Sequence, residues 1–146
     1  MNLPHYEYLT NDFQDYEFYS EGPKGKIKKL VRFTKIQDEP EIYNLAFGDA
    51  DPETGLMNDQ VTSNNEDRDI VLATVANTID DFCDHYGDHY IYAKGSTPVR
   101  TRLYQMGING ILDDIAGTFD VYGIIADQAY DFERNVNYEA FLVKRK

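Results

Sequence analysis

The chain has 146 residues, 42% of them hydrophobic and 14% aromatic, with twelve Tyr, eight Phe and no Trp. That content supports one core but not two, which excludes wholesale disorder and a multidomain arrangement. Fourteen basic against twenty-six acidic side chains give a formal charge of −12, which opposes general binding to duplex nucleic acid, itself a polyanion.

No apolar run approaches the ~20 residues of a membrane helix, and the opening MNLPHYEYLT lacks the basic-then-apolar pattern of a secretory signal. The one cysteine, Cys83, excludes an internal disulfide and a multi-cysteine zinc site. A cytoplasmic domain away from the membrane is the expectation.

The stretch DYEFYSEGPKGKIKKLVRFTKI (15–36) reads as a hairpin. Tyr16, Phe18, Ile27, Leu30 and Phe33 sit among polar residues, and GPKG (22–25) supplies the turn. The alternation falters after Lys28, which predicts a bulge or register change at residues 28–30. Beyond Pro40, EIYNLAFGD (41–49) reads as a third strand with Ile42, Leu45 and Phe47 as its apolar content. Residues 49–65 are polar and read as a loop, interrupted by a short strand at residues 60–62.

Leu72, Val75, Ala76, Ile79, Phe82, Cys83 and Tyr86 recur at three- and four-residue spacing, the signature of one helical face. Asn64 or Asn65 is the expected cap, Glu66, Asp67 and Asp69 suit the helix dipole, and Gly87 ends the helix. Cys83 lies on the apolar stripe and reads as a packed core residue.

HYIYAKG (89–95) reads as a strand, followed at once by a second helix. Ser96 or Thr97 caps it and Pro98 takes its first position. Val99, Leu103, Met106, Ile108, Ile111, Leu112 and Ile115 cover more than half its circumference, which predicts burial on two sides. Gly107 and Gly110 offer a close approach, and Gly117 marks the exit. FDVYGIIA (119–126) and NYEAFLVK (137–144) read as an antiparallel pair joined by a polar connection. The expected fold is a single α+β domain: a mainly antiparallel sheet with two main helices, in the order strands, helix, strand, helix, two strands.

The basic residues are grouped. Lys24, Lys26, Lys28, Lys29, Arg32 and Lys35 fall in the hairpin, Lys94, Arg100 and Arg102 around the second helix start, and Lys144, Arg145 and Lys146 at the end. The plain reading is solvated faces balancing an acidic molecule. The sharper one is a positive surface on Lys24, Lys26, Lys28, Lys29 and Arg32 for a protein partner, or for a single-stranded nucleic acid beside Tyr and Phe.

KGSTPVRTR (94–102) carries the most chemistry. A strand ends, a glycine loosens the backbone, hydroxyls cap, and the free N–H groups of a helix start point outward. Two arginines there oppose the helix dipole. The compensation is either a bound phosphate or carboxylate, on Lys94, Ser96, Thr97, Arg100 and Arg102, or acids of the same chain. Arg100 and Arg102 do not share a helical face; Arg100 is the better anion ligand, and Arg102 pairs sideways. An anion at the first helix start would meet Glu66, Asp67 and Asp69, so the expected anion site is at Thr97.

GDADPETG (48–55) departs from a calcium loop, with Gly55 one place late and Gln60 at position twelve; it reads as a solvated acidic turn. His85 and His89 are separated by the helix-ending Gly87, and His5 is isolated, so no metal site is expected. No nucleophile elbow, P-loop or dinucleotide fingerprint is present. Tyr104 reads as a core tyrosine with one hydrogen bond, or else as a phenol placed at a cleft.

Two resemblances follow from these motifs. GPKG (22–25), FGD (47–49), SNN (63–65), VLATVA (71–76), KGSTPVRTRLY (94–104) and NYEAFLVKRK (137–146) together resemble a family of small bacterial proteins of unknown function. The element order, with Leu103-Tyr104 on the second helix, is similar to the GCN5-related N-acetyltransferases. That resemblance implies an acyl-coenzyme A site with Tyr104 as the acid protonating the departing thiolate. The family's glycine-rich pyrophosphate cradle would fall at Ser63-Asn64-Asn65-Glu66-Asp67-Arg68, which has no glycine.

The leading expectation is therefore a non-enzymatic or degenerate acetyltransferase-like domain, without a cofactor, that recognises an anionic group or a protein partner. The alternatives are an N-acyltransferase using coenzyme A, with Tyr104 as general acid and Thr97 with Arg100 on a phosphate, and a regulatory or defence interaction protein. Oligomeric state is open.

Overall fold

A computed structural model of the chain describes residues 3–58 and 65–146. The short strand expected at residues 60–62 lies outside the described residues. The elements are β1 (Tyr8–Thr10), β2 (Asp15–Gly22), β3 (Gly25–Asp38), β4 (Glu41–Ala50), β5 (Met57–Asn58), α1 (Arg68–Tyr86), β6 (Tyr90–Ala93), α2 (Pro98–Ile115), β7 (Phe119–Ile125), β8 (Gln128–Asp131) and β9 (Ala140–Arg145). They form the expected α+β domain around one open, nine-stranded sheet of order β1-β2-β3-β4-β6-β9-β7-β8, with β5 paired to β4.

The GPKG turn joins β2 to β3, with Gly22 opposite Gly25 and Gly25 at φ +83°, a conformation that favours glycine. The predicted break at residues 28–30 is absent. Pairing with β2 is continuous there, and the register shift lies between Lys35 and Gln37, against β4. The alternation only looked broken: Lys29 faces the core, 1% exposed, paired with Asp49 of β4. β1 and β8 were not expected, since each is too short to show a period.

Every neighbouring pair in the sheet is antiparallel except one. β4 and β6 run parallel over three residue pairs, Ile42 with Tyr90, Tyr43 with Ile91 and Asn44 with Tyr92. Past Asn44 the last residues of β4 have β3 and β5 as partners, and the sheet opens. β9 returns between β6 and β7, confirming the expected antiparallel closing pair.

The core lies between one face of this sheet and both helices. Tyr16, Phe18, Val31, Phe33, Tyr43, Leu45, Phe47 and Ile91 meet Val71, Val75, Ile79, Phe82, Ile111 and Ile115. Phe82 stacks on Phe33 and meets Tyr43 edge-on. Gly87 ends α1, its N–H donating to the Cys83 carbonyl. Past it, Arg145 at the end of β9 binds three α1-side carboxylates, Asp80, Asp84 and Asp88, at 3.0, 2.5 and 2.7 Å.

Cys83 is buried in this core, and burial pushes its thiol up to about 11. A thiol-reactive disulfide reagent is therefore expected to leave the native protein unlabelled over minutes, and to titrate one thiol in denaturant. Rapid labelling of the native protein would contradict this packing.

α2 departs from the expectation of burial on two sides. Its buried residues are Arg100, Thr101, Gln105, Gly107, Ile111 and Ile115, whereas Val99, Leu103 and Met106 are 70%, 46% and 38% exposed. Its inner face is partly polar: the Gln105 amide donates to the Val136 carbonyl and accepts the Tyr138 N–H. The close approach at the two glycines is made by α1 side chains. A Cβ on Gly107 would sit 2.6 Å from Leu72 Cγ, and one on Gly110 would sit 2.8 Å from Asp69 Oδ1.

Candidate functional site

The start of α2 is built as its residue types demand. Thr97 is the N-cap, its hydroxyl accepting the Arg100 N–H at 3.2 Å, and Pro98 follows. The Thr101 hydroxyl donates to the Thr97 carbonyl and accepts the Gly95 N–H, which folds the end of β6 against the first helical turn. Gly95 is required for this approach, because a Cβ there would lie 2.4 Å from the Thr101 backbone nitrogen.

Of the five residues expected to bind an anion, three converge. Arg100 is 8% exposed and donates from Nη1 to the Ser96 hydroxyl at 3.0 Å, beside the Thr97 cap. Lys94 is exposed at the strand exit. Arg102 points sideways, as expected of it, to the Asn137 side-chain carbonyl at 3.0 Å.

A cavity of about 570 Å³ opens where β4 leaves β6. Phe47, Val71, Leu72, Leu103, Tyr104 and Met106 give it apolar walls, and Lys29 and Arg100 give it cations. The Tyr104 hydroxyl donates to the Phe47 carbonyl at 3.3 Å, and the two rings meet edge-on. The cavity also takes in Glu66, Asp67 and Asp69. The acidic start of α1 and the cationic start of α2, remote in sequence, thus line one space.

Asp67 and Asp69 have partners within the chain, as does the nearby Asp49. Asp49 pairs with Lys29 behind the wall. Asp67 accepts from the Ser20 hydroxyl and from Tyr6 at 2.7 Å, and Asp69 lies 3.6 Å from Arg68. The expected cap at Asn64 or Asn65 is corrected here, Asn64 itself lying outside the described residues. Asp67 is the N-cap residue, without a side-chain cap hydrogen bond. Asn65 instead grips the hairpin: its amide donates to Ser20 and to the Gly25 carbonyl, and its oxygen accepts the Lys24 N–H at 2.7 Å. Gly22 is held so close that a Cβ would fall 2.1 Å from the Asn65 carbonyl oxygen. Sequence reasoning missed this latch; the turn and the SNN motif were both visible, but nothing local joins them.

The hairpin cations are balanced by the chain's own acids. Lys26 lies 3.5 Å from Glu21, Lys28 2.8 Å from Glu17, Arg32 2.6 Å from Asp15 and Lys35 2.7 Å from Glu41. Lys29 is corrected from surface to core, and Lys24 sits in the turn that Asn65 holds. The acidic turn is likewise self-contained: Asp51 accepts the N–H groups of Glu53 and Thr54, and these bonds lower its pKa. His89 lies 3.0 Å from Glu41, and His85 stacks on Phe13. Among the described residues no group of three or more His, Cys, Asp or Glu is disposed to hold a metal, and no helix is long and apolar enough to cross a membrane.

These features define a single α+β domain with a mostly antiparallel sheet and a cleft at its parallel seam. The chain belongs to a protein family of unknown function, DUF6934, whose family model matches residues 2–146. No curated protein and no solved structure matches it.

Proposed function

We propose that this is an acetyltransferase-like domain that binds a small anionic ligand in the cleft between β4, α1 and α2, and that it works by recognition. The observation carrying the reading is Arg100. It is a nearly buried guanidinium on the wall of this cavity, beside two hydroxyls at a helix start, and Arg suits carboxylate and phosphate. The element order and Leu103-Tyr104 support the acetyltransferase-like description. Recognition is favoured over turnover because the place of the pyrophosphate cradle is occupied in part by Asn65 and Asp67, both tied to the hairpin and Ser20.

A second reading, acyl transfer from coenzyme A, is favoured by one observation: the Tyr104 hydroxyl is held at the wall of the same cavity. Thermal unfolding with inorganic phosphate, acetate and acetyl-coenzyme A tests both. Binding to the native state raises the melting temperature, by an amount equivalent to about 2.7 kcal/mol at a hundredfold excess over Kd. The first reading expects a shift with a simple anion that Arg100→Gln removes. No shift with any of the three at millimolar concentration overturns it. Turnover of acetyl-coenzyme A that Tyr104→Phe abolishes would establish the second.

A further inference from the structure

Val99, Leu103 and Met106 lie at i, i+4 and i+7 on α2, so they form one ridge along its length. All three are open to water, and Ile70, 37% exposed, lines the same cavity as Leu103 and Met106. This ridge is continuous with the apolar walls inside the cleft, where Leu72 packs against Gly107. Arg100 sits at the Val99 end of the ridge, and Met106 lies seven residues from Val99, about 10 Å at the helical rise, which matches about eight extended methylenes. A cation at one end and an uninterrupted apolar track leading away from it fit an amphipathic molecule. Glu66, Asp67 and Asp69 line the α1 side of the cavity, so the head is placed on the α2 side, at Arg100, away from the acids; Asp69 lies beside Arg68 and Asp49 pairs with Lys29.

Resting on the cleft reading above, we infer that the anion bound there is a medium-chain aliphatic carboxylate, its head at Arg100 and Ser96 and its chain along Leu103, Met106 and Leu72. The chain removes exposed apolar surface from water on both partners, so affinity rises with its length. A simple inorganic anion would leave the ridge uncovered.

The test is titration calorimetry with acetate, butyrate, hexanoate and octanoate below their micelle-forming concentrations, on the full chain. From butyrate to octanoate the affinity is expected to rise roughly two- to fourfold per added methylene, as partial to full burial of each group implies. Leu103→Asn, at a half-exposed position, is expected to flatten that gradient, because it puts a polar group into the track that the chain covers. Arg100→Gln is expected to weaken every chain length alike. Acetate binding as tightly as octanoate overturns the inference and leaves the cleft reading standing. No binding of any carboxylate or of phosphate overturns both. A gradient that persists in Leu103→Asn, or a concentration-dependent dimer that this substitution dissolves without any gradient, also overturns it, the dimer assigning the ridge to a second copy of the chain.

Discussion

Replacing Lys29 by Met is expected to lower the unfolding free energy by about 3–5 kcal/mol, because it leaves the buried Asp49 carboxylate without its cation. The two side chains are 2% and 9% exposed, so water cannot take the lysine's place. Asp49→Leu alone should cost a similar amount through the stranded ammonium. The double variant Lys29→Met with Asp49→Leu is expected to recover to within roughly 1 kcal/mol of the parent, since it leaves no buried charge unpaired, the remainder being overpacking by Leu, which is larger than Asp. Urea unfolding of all three checks this. A double variant as unstable as the single ones would assign the loss to packing around Phe47, over whose ring the Lys29 ammonium also lies at 6.0 Å, and not to the charge.

Gly95→Ala is expected to have the next largest effect and to act on the site itself. The added methyl would meet helix backbone, 2.4 Å from the Thr101 nitrogen and 2.7 Å from the Arg100 carbonyl carbon. Neither can turn aside as a flexible side chain would. The first turn of α2 must therefore move away from β6, at roughly 3 kcal/mol, the upper range for overpacking. The same movement carries Arg100 and the Thr97 cap with it, so the anion response should fall together with stability. Gly117→Ala is the control: nothing lies within 4 Å of the added methyl, and its effect should stay within about 0.5 kcal/mol. Equal melting temperatures for the two variants would mean that β6 and α2 are not pressed together as described.

Local signals predicted local structure well. GPKG set the hairpin turn, and Thr97 with Pro98 set the start of α2, because turn geometry and capping depend on residues two to four apart. What failed was non-local. Lys29 looked like a surface residue that broke the alternation because its partner lies twenty positions away. Asn65 looked like a helix cap, yet its partners are in the hairpin. The apolar periodicity of α2 located its faces but could not say which of them another element covers, so Val99, Leu103 and Met106 were assigned to the interior. For the candidate site, the sequence singled out Arg100, Thr97 and Tyr104 one by one. That Arg100 and Tyr104 share a cavity with the start of α1 depends on the parallel pairing of β4 with β6, which no short stretch encodes.

That pairing has a mechanical meaning. On one side of it stand the strands β1 to β5, built almost wholly from neighbours in sequence; on the other stand β6 to β9, closed by the chain's last segment. Three rungs of backbone join these two ribbons, and α1 bridges them, packed on β3 and β4 through Phe82 and moored to the far ribbon by Arg145. Those amides among Tyr90, Ile91 and Tyr92 that face β4 should thus exchange with deuterium through a partial opening at the junction, sooner than those in the middle of the β2–β3 hairpin. A molecule lodged at that junction would slow them first.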